Sequence, residues 1–136
     1  QQMSSDSAEV LCMLSALAPQ VGACSEALDA QAVGNSLYGM QGMRSDKAEV
    51  RAMLLALIPK VESCREVLDA QELGNCLYGI QKMSSDHAEM RVMLLTLVPK
   101  VESCMESLDA QEVGNSLFSL IFCCTYARLA GLYGSI

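Results

Sequence analysis

Residues 45–80 read SDKAEVRAMLLALIPKVESCREVLDAQELGNCLYGI, and this stretch decides the fold. Its first part contains apolar residues at the i, i+3, i+4 and i+7 spacing of one helix face. These residues are Val50, Met53, Leu54 and Leu57. A second apolar strip on the same helix consists of Ala52, Leu55, Ala56 and Ile58. Because a helix that is apolar on two sides must bury both, we expect it to be sandwiched between neighbours.

Two helix starts in this stretch are marked by an aspartate followed three positions later by a glutamate. Asp46 with Glu49, and Asp69 with Glu72, have the spacing of a capping box. In that motif each side chain accepts a hydrogen bond from a backbone N–H at the start of the helix. The first copy of the second motif has Ala32 at the glutamate position, so we expect a weaker helix start there.

Pro59 lies at the end of the first apolar pattern. Because proline lacks a backbone N–H, the helix either stops there or continues with a kink. The spacing of Val61, Cys64 and Leu68 favours a kinked helix that continues through residues 60–67.

The second helix is predicted to bury a stripe formed by Leu73, Leu77 and Ile80. Gly74 and Gly79 interrupt this helix. Since each glycine costs about 1 kcal/mol relative to alanine in a helix interior, their recurrence predicts a close approach between neighbouring helices.

The same pattern occurs three times without a gap, in residues 1–40, 41–80 and 81–120. The second and third blocks are identical at 26 of their 40 positions. Each block is predicted to be a helical hairpin, and stacking successive hairpins at about 8–10 Å would bury their apolar strips in one core. We therefore predict an all-α fold, an α-solenoid of tandem 40-residue helical hairpins, followed by a divergent apolar C-terminal helix over residues 121–136.

Composition and charge exclude several classes of protein. The chain has 136 residues, 16 acidic against 9 basic side chains and a net charge of −7, which disfavours a generic phosphate-neutralising surface. Its seven cysteines, an odd number, and the lack of a secretory signal pattern favour a reducing intracellular compartment. A membrane span at the apolar C-terminal stretch is not expected, because Arg128 would lie near the middle of the bilayer at a cost of roughly 2.5–3.5 kcal/mol.

Catalytic motifs are absent from the sequence. His87 is the only histidine, the cysteines show no CxxC spacing, and neither GxGxxG nor GxxxxGK[ST] occurs. The acidic residues are mostly assigned to helix caps, which leaves no isolated carboxylate pair as acid and base. We predict a chain that is not an enzyme, with no cofactor, no metal and no small-molecule substrate.

The second helix of each block resembles the octotricopeptide repeats and the related repeats of FAST-kinase-like proteins. Those repeats carry a Gln-x-x-x-Asn-x-Leu-aromatic core. Here that core is Gln71, Asn75, Leu77 and Tyr78, with equivalents at Gln31, Asn35, Leu37 and Tyr38 and at Gln111, Asn115, Leu117 and Phe118. The resemblance implies a single-stranded RNA-binding array, located in an organelle, in which successive repeats present side chains to successive bases.

The first helix has a weaker resemblance to HEAT-type repeats. Asp46, Val50, Arg51 and Pro59 match pieces of that pattern. This resemblance implies a protein–protein interaction scaffold and is the alternative to the RNA-binding hypothesis.

Candidate base-reading residues are exposed positions that differ between otherwise similar blocks. Two sets of equivalent positions, here called columns, meet this criterion: Ser7, Lys47 and His87, and Ser25, Arg65 and Met105. The alternative interpretation is neutral variation on a solvated face. The recurring asparagine, Asn75 in the middle block, does not vary and is predicted to be buried and bonded to a neighbouring hairpin.

Only the middle block could offer phosphates a basic face, since it has five basic residues against none in the first block and three in the more acidic third block. The candidate basic face consists of Arg44, Lys47, Arg51, Lys60 and Arg65. The sequence therefore predicts a non-catalytic helical-repeat binding scaffold whose partner is single-stranded RNA or, alternatively, a protein.

Overall fold

The structure is a computed structural model that describes residues 6–120. Five helices lie wholly within this range: α1 Ala8–Ala23, α2 Ala30–Tyr38, α3 Ala48–Ser63, α4 Ala70–Ile80 and α5 Ala88–Glu102. A sixth helix, α6, comprises residues 110–120 of the described part. No strand occurs between residues 6 and 120, which confirms the all-α prediction. The predicted helix over 121–136 lies outside the described residues.

The most extensive helix contacts join each helix to the one two positions along the chain. Helix α1 packs on α3, α3 packs on α5, and α2 packs on α4. Odd and even helices therefore form two layers, and each layer is held together by contacts between equivalent helices of successive blocks. One core cluster of buried side chains extends through these contacts.

The first apolar strip of α3 is buried as predicted. Val50, Met53, Leu54 and Leu57 all belong to the core, where α3 lies between α1 and α5. The prediction for the second strip is wrong in half of its positions, since Ile58 is buried and Ala56 partly buried whereas Ala52 and Leu55 are exposed. Within the described residues nothing covers that outward side of α3, because both neighbours of the helix lie in its own layer.

The capping box at the start of α4 is confirmed. The Asp69 carboxylate accepts from the Glu72 N–H at 2.7 Å, and the Glu72 carboxylate accepts from the Asp69 N–H at 2.8 Å. At the start of α2, Asp29 accepts from the Ala32 N–H at 2.7 Å without the return bond, as expected from the missing glutamate.

The capping box predicted for Asp46 and Glu49 is wrong. Helix α3 begins one residue later, with Lys47 as its N-cap and no side-chain cap. The reason is the preceding turn, in which the Lys47 N–H donates to the Arg44 carbonyl and places Asp46 inside the turn. In this arrangement Arg51 donates from Nη1 to the Ser45 carbonyl at 2.8 Å.

Helix α3 continues through Pro59, as favoured, but it ends at Ser63. The prediction that it extends through residues 60–67 is wrong, because Cys64 is extended and the chain turns back there toward α4. Cys64 and Leu68 are nevertheless buried, so their apolar spacing marked core positions rather than helix.

Close helix approach was predicted at two glycines and occurs at one. Gly79 lies against the backbone of α2. A Cβ atom at Gly74 would meet nothing within 4 Å, so the expectation for Gly74 is wrong.

Candidate functional site

Three polar or aromatic side chains lie in line on the outer side of α4. Gln71, Asn75 and Tyr78 are spaced i, i+4 and i+7, and at about 100° per residue they fall within about 60° of one another around the helix. Leu73 and Ile80, which are buried, point to the opposite side. The core thus orients α4 so that this amide and aromatic stripe faces outward.

The same stripe recurs on the other two even helices. Its members are Gln31, Asn35 and Tyr38 on α2 and Gln111, Asn115 and Phe118 on α6. All are exposed, as are Gln71 and Tyr78, whereas Asn75 is half-buried. We call these nine residues the amide–aromatic surface.

The two tyrosines of this surface stack on each other. The rings of Tyr38 and Tyr78 have centroids 5.6 Å apart and an interplanar angle of 24°, and each residue is about 40% exposed. Phe118 holds the corresponding position on α6 and is 59% exposed. Aromatic residues therefore hold equivalent positions on α2, α4 and α6, and those of α2 and α4 are in contact.

Gly79 permits this stacking, because it allows α2 and α4 to pack closely. Gly79 follows Tyr78 and lies against α2. A Cβ atom at Gly34 would lie 3.4 Å from the Glu72 backbone, at the other end of the same helix pair. The close contact of the two helices brings Tyr38 and Tyr78 into contact.

The prediction of buried, structurally bonded asparagines is wrong. Asn35 and Asn115 are exposed, and within residues 6–120 the side-chain amides of all three asparagines make no hydrogen bond. The carboxamides can therefore donate to and accept from a ligand. Together with the rings, they suit a planar ligand with polar edges.

Polar bonds between blocks come from other residues. Lys100 donates from Nζ to the Cys64 carbonyl at 2.5 Å, and Lys60 donates to the equivalent carbonyl of Cys24. These lysines hold each block to the preceding one.

The two predicted base-reading columns lie at opposite ends of the odd helices. Ser7, Lys47 and His87 are the N-cap residues of α1, α3 and α5, whereas Ser25, Arg65 and Met105 lie in the loops that follow these helices. A helix of 16 residues is about 24 Å long. The structure therefore does not bring the two columns together, and one nucleotide could not contact both.

His87 contacts the preceding block. Its Nδ1 lies 2.8 Å from Ser45 Oγ, which also accepts from the Ser84 N–H at 2.7 Å. A small pocket of about 150 Å³ adjoins these residues and is also lined by Arg44 and Lys82. The His87 imidazole thus links the start of α5 to the turn that precedes α3.

The predicted basic face of the middle block is not a single surface. Arg51 and Lys60 donate to backbone carbonyl oxygens, and Arg44 forms a 3.6 Å ion pair with a carboxylate of its own turn. Lys47 and Arg65 lie at opposite ends of α3. The five side chains therefore do not form a continuous phosphate-binding patch.

The five cysteines between residues 6 and 120 are free thiols. Cys76 is buried, and this burial raises its pKa to about 12. In the described range no three or more His, Cys, Asp or Glu side chains are grouped to hold a metal ion. None of the helices described there is both long and apolar enough to cross a bilayer.

The amide–aromatic surface was not among the predicted base readers, because those were chosen for variation between blocks. Its signal is present in the sequence. The spacing of Gln71, Asn75 and Tyr78, opposite the apolar Leu73 and Ile80, predicts an exposed polar stripe.

Comparison of the chain with protein-family models, with curated proteins and with solved structures gave no match.

Proposed function

We propose that this chain is a non-catalytic segment of an α-solenoid that binds single-stranded RNA through the amide–aromatic surface. The observation that carries the proposal is the stacked pair Tyr38 and Tyr78, with exposed carboxamides in line on the same helices. The resemblance of these helices to octotricopeptide repeats supports the same partner.

Single-stranded bases can use both parts of this surface. Their rings stack on aromatic side chains, which contributes about 1–3 kcal/mol per base, and their edges bond to donors and acceptors such as Asn75 and Gln71. Stacking is tolerant of sequence because every base has an aromatic face. Recurrence of the stripe every 40 residues would guide the strand along the even layer.

The charges near this surface make the proposed binding mode unusual. Asp69 and Glu72 lie at the start of α4, and Lys60 and Arg51 are engaged with backbone carbonyls. Because each neutralised phosphate of a single strand contributes about 0.7 to the slope of log affinity against log salt, few phosphate contacts give a shallow slope. Stacking and amide hydrogen bonds would then supply most of the affinity.

The test is fluorescence anisotropy of a labelled random single-stranded RNA pool titrated with the full chain, at low and high salt. Tyr78→Ala is expected to weaken binding about tenfold, which corresponds to the lower part of the stacking range. Asn75→Ala should weaken it less. Leu55→Ala is the matched control, since Leu55 is exposed on α3 outside the surface.

Two outcomes would reject the RNA proposal. One is no binding of the wild-type chain at low salt. The other is equal affinity of wild type and Tyr78→Ala, with circular dichroism showing that the variant is folded.

A protein partner is the second candidate, favoured by an apolar groove on the odd layer. Val92 and Leu95 are exposed on α5 and line, with Ile58 and Pro99, a groove of about 330 Å³. This groove and the net charge of −7 suit a basic, apolar protein segment better than a polyanion. Nuclease-resistant binding of a purified partner that is lost in Leu95→Lys and kept in Tyr78→Ala would support this candidate.

A further inference from the structure

The amide–aromatic surface has the same carboxamides in every block, although the helices that present them vary. Gln71 and Asn75 have a glutamine and an asparagine at the equivalent positions of α2 and α6. Residues next to them do vary, since Glu72 is replaced by alanine in the first block and Cys76 by serine in the other two. Because two or three side chains per repeat select a base, identical sets select the same base in each block.

The aromatic member of the surface keeps its ring but not its hydroxyl group. Phe118 occupies on α6 the position that Tyr38 and Tyr78 occupy on α2 and α4. The feature common to the three blocks is therefore a ring that can stack. Since the two tyrosine rings stack on each other and each residue is about 40% exposed, a base bound here meets aromatic surface from two blocks. A purine, with two fused rings, covers more of that surface than a pyrimidine does.

The carboxamides match a particular kind of base edge. Each has one acceptor oxygen and one donor NH₂ group. Within residues 6–120 neither the Gln71 nor the Asn75 side chain is engaged in a hydrogen bond. A carboxamide pairs with an edge on which a donor and an acceptor are adjacent, as N6 and N7 are in adenine. Uracil also has an adjacent donor and acceptor, but it has only one ring with which to stack.

The side chains that pair best with guanine and cytosine are absent from this surface or already engaged. Guanine presents two adjacent acceptors, O6 and N7, which suit lysine or arginine, and the N4 amine of cytosine suits a carboxylate. The described residues of α2, α4 and α6 include no lysine or arginine. The carboxylates of Glu72 and Glu112 each accept from the N–H of an N-cap aspartate at 2.8 Å. Edge chemistry and ring size together favour adenine.

We propose that the amide–aromatic surface selects a run of adenines, an inference that rests on the RNA binding proposed above. One adenine stacks against the aromatic ring of each block, and its N6 amine and N7 bond to the carboxamides of the same helix. Because Tyr38 and Tyr78 are in contact, the first two blocks bind neighbouring adenines rather than bases separated by a spacer.

The test compares labelled oligo(A), oligo(U), oligo(C) and a mixed sequence of equal length, each titrated with the full chain at neutral pH and low salt. Fluorescence anisotropy should give an affinity for oligo(A) at least about tenfold higher than for the other three, since each bidentate pair discriminates by about that factor. An oligomer of purine riboside, which keeps both rings but lacks the N6 amine, should lose this advantage.

Gln71→Glu tests the role of the carboxamide directly. It replaces an exposed amide by a carboxylate of the same shape in the first turn of α4, where a negative charge is compatible with the helix. The added charge repels every RNA, so the readout is the ratio of the affinities for oligo(A) and oligo(C). This ratio should fall about tenfold, because a carboxylate accepts from cytosine N4 and cannot donate to adenine N7. Gln20→Glu makes the same change at an exposed glutamine of α1 and should leave the ratio unchanged.

Equal affinity of wild type for the four RNAs would overturn adenine selection and leave RNA binding in place. Tighter binding of oligo(U) or oligo(C) than of oligo(A) would overturn it as well. No binding of any RNA would reject both adenine selection and the proposed function. An unchanged ratio in Gln71→Glu, with far-UV circular dichroism showing intact helices, would overturn the assignment of the Gln71 carboxamide to the base edge.

Discussion

A Cβ atom at position 79 would lie 1.8 Å from the carbonyl oxygen of Leu37. Helix α4 can therefore pass α2 at its observed distance only because residue 79 is glycine. The obstructing group is backbone, which cannot move aside as the end of a flexible side chain can. This contact lies one residue from the stacked Tyr78, so the packing of the even layer and the amide–aromatic surface depend on the same glycine.

We predict that Gly79→Ala destabilises the fold by about 3 kcal/mol, because the added methyl group forces two packed helices apart. Gly74→Ala is expected to stabilise the fold by up to about 1 kcal/mol, since a Cβ there meets nothing within 4 Å and alanine favours the helix. Urea unfolding followed by far-UV circular dichroism measures both changes.

The tyrosine stack supplies an independent readout of the same pair of variants. Gly79→Ala should alter the near-UV circular dichroism of Tyr38 and Tyr78, and Gly74→Ala should leave it unchanged. Equal stability of the two variants would contradict the close approach of α2 and α4.

The starts of the even helices could be predicted from sequence and those of the odd helices could not. The motif at Asp69 and Glu72 acts locally, and the structure contains both of its bonds. An identical spacing at Asp46 and Glu49 fails because the preceding turn, closed by the Lys47 N–H, shifts the helix start by one residue. A capping motif specifies a helix start only where the preceding turn allows the aspartate to occupy the N-cap position.

This difference makes Asp69→Ala and Asp46→Ala an informative pair. Asp69→Ala should lower the free energy of unfolding by about 1 kcal/mol, because the Glu72 N–H loses its acceptor. Asp46→Ala should change it by less than about 0.5 kcal/mol, since Asp46 makes only an exposed ion pair with Arg44. Thermal unfolding of both variants checks the expectation, and a larger loss at Asp46 would indicate that α3 starts where the sequence pattern suggested.

Burial on α3 changes sharply between adjacent residues, and this permits a second matched pair. Leu54 is fully buried and Leu55 is 54% exposed. Leu54→Ala should cost about 2–5 kcal/mol through lost packing and the cavity left behind. Leu55→Ala should stay within about 0.5 kcal/mol of wild type, as surface substitutions usually do. Denaturant unfolding gives both values, and similar costs would mean that the outer side of α3 is covered after all.

The candidate site was harder to predict than the core because polar residues carry no equivalent of apolar periodicity. Met53 and Leu57 are assigned to the core by spacing alone, and the structure agrees. An asparagine such as Asn75 satisfies its amide equally well in a core or at a surface, so its recurrence did not decide between the two. The deciding information is its spacing from Gln71 and Tyr78, opposite the buried side of α4.

The buried thiol of Cys76 makes stability depend on pH in the alkaline range. Its burial, with smaller contributions from the Glu72 carboxylate and the Cys64 thiol, raises its pKa from 9.0 to about 12. Above pH 9 the thiol of the unfolded chain loses its proton while that of the folded chain keeps it. The unfolded state then binds fewer protons, so the free energy of unfolding falls as pH rises from about 9 to 12 and is unaffected by this group below pH 9.

We therefore predict that wild type loses about 1.4 kcal/mol of stability per pH unit above pH 9 relative to Cys76→Ala. The two slopes are compared, rather than the two stabilities, because the alanine variant starts from a lower stability through lost packing. Urea unfolding at a series of pH values from 8 upward measures the two slopes. Parallel slopes for wild type and Cys76→Ala would mean that the thiol ionises as readily in the folded chain as in the unfolded one, and hence that position 76 is open to water.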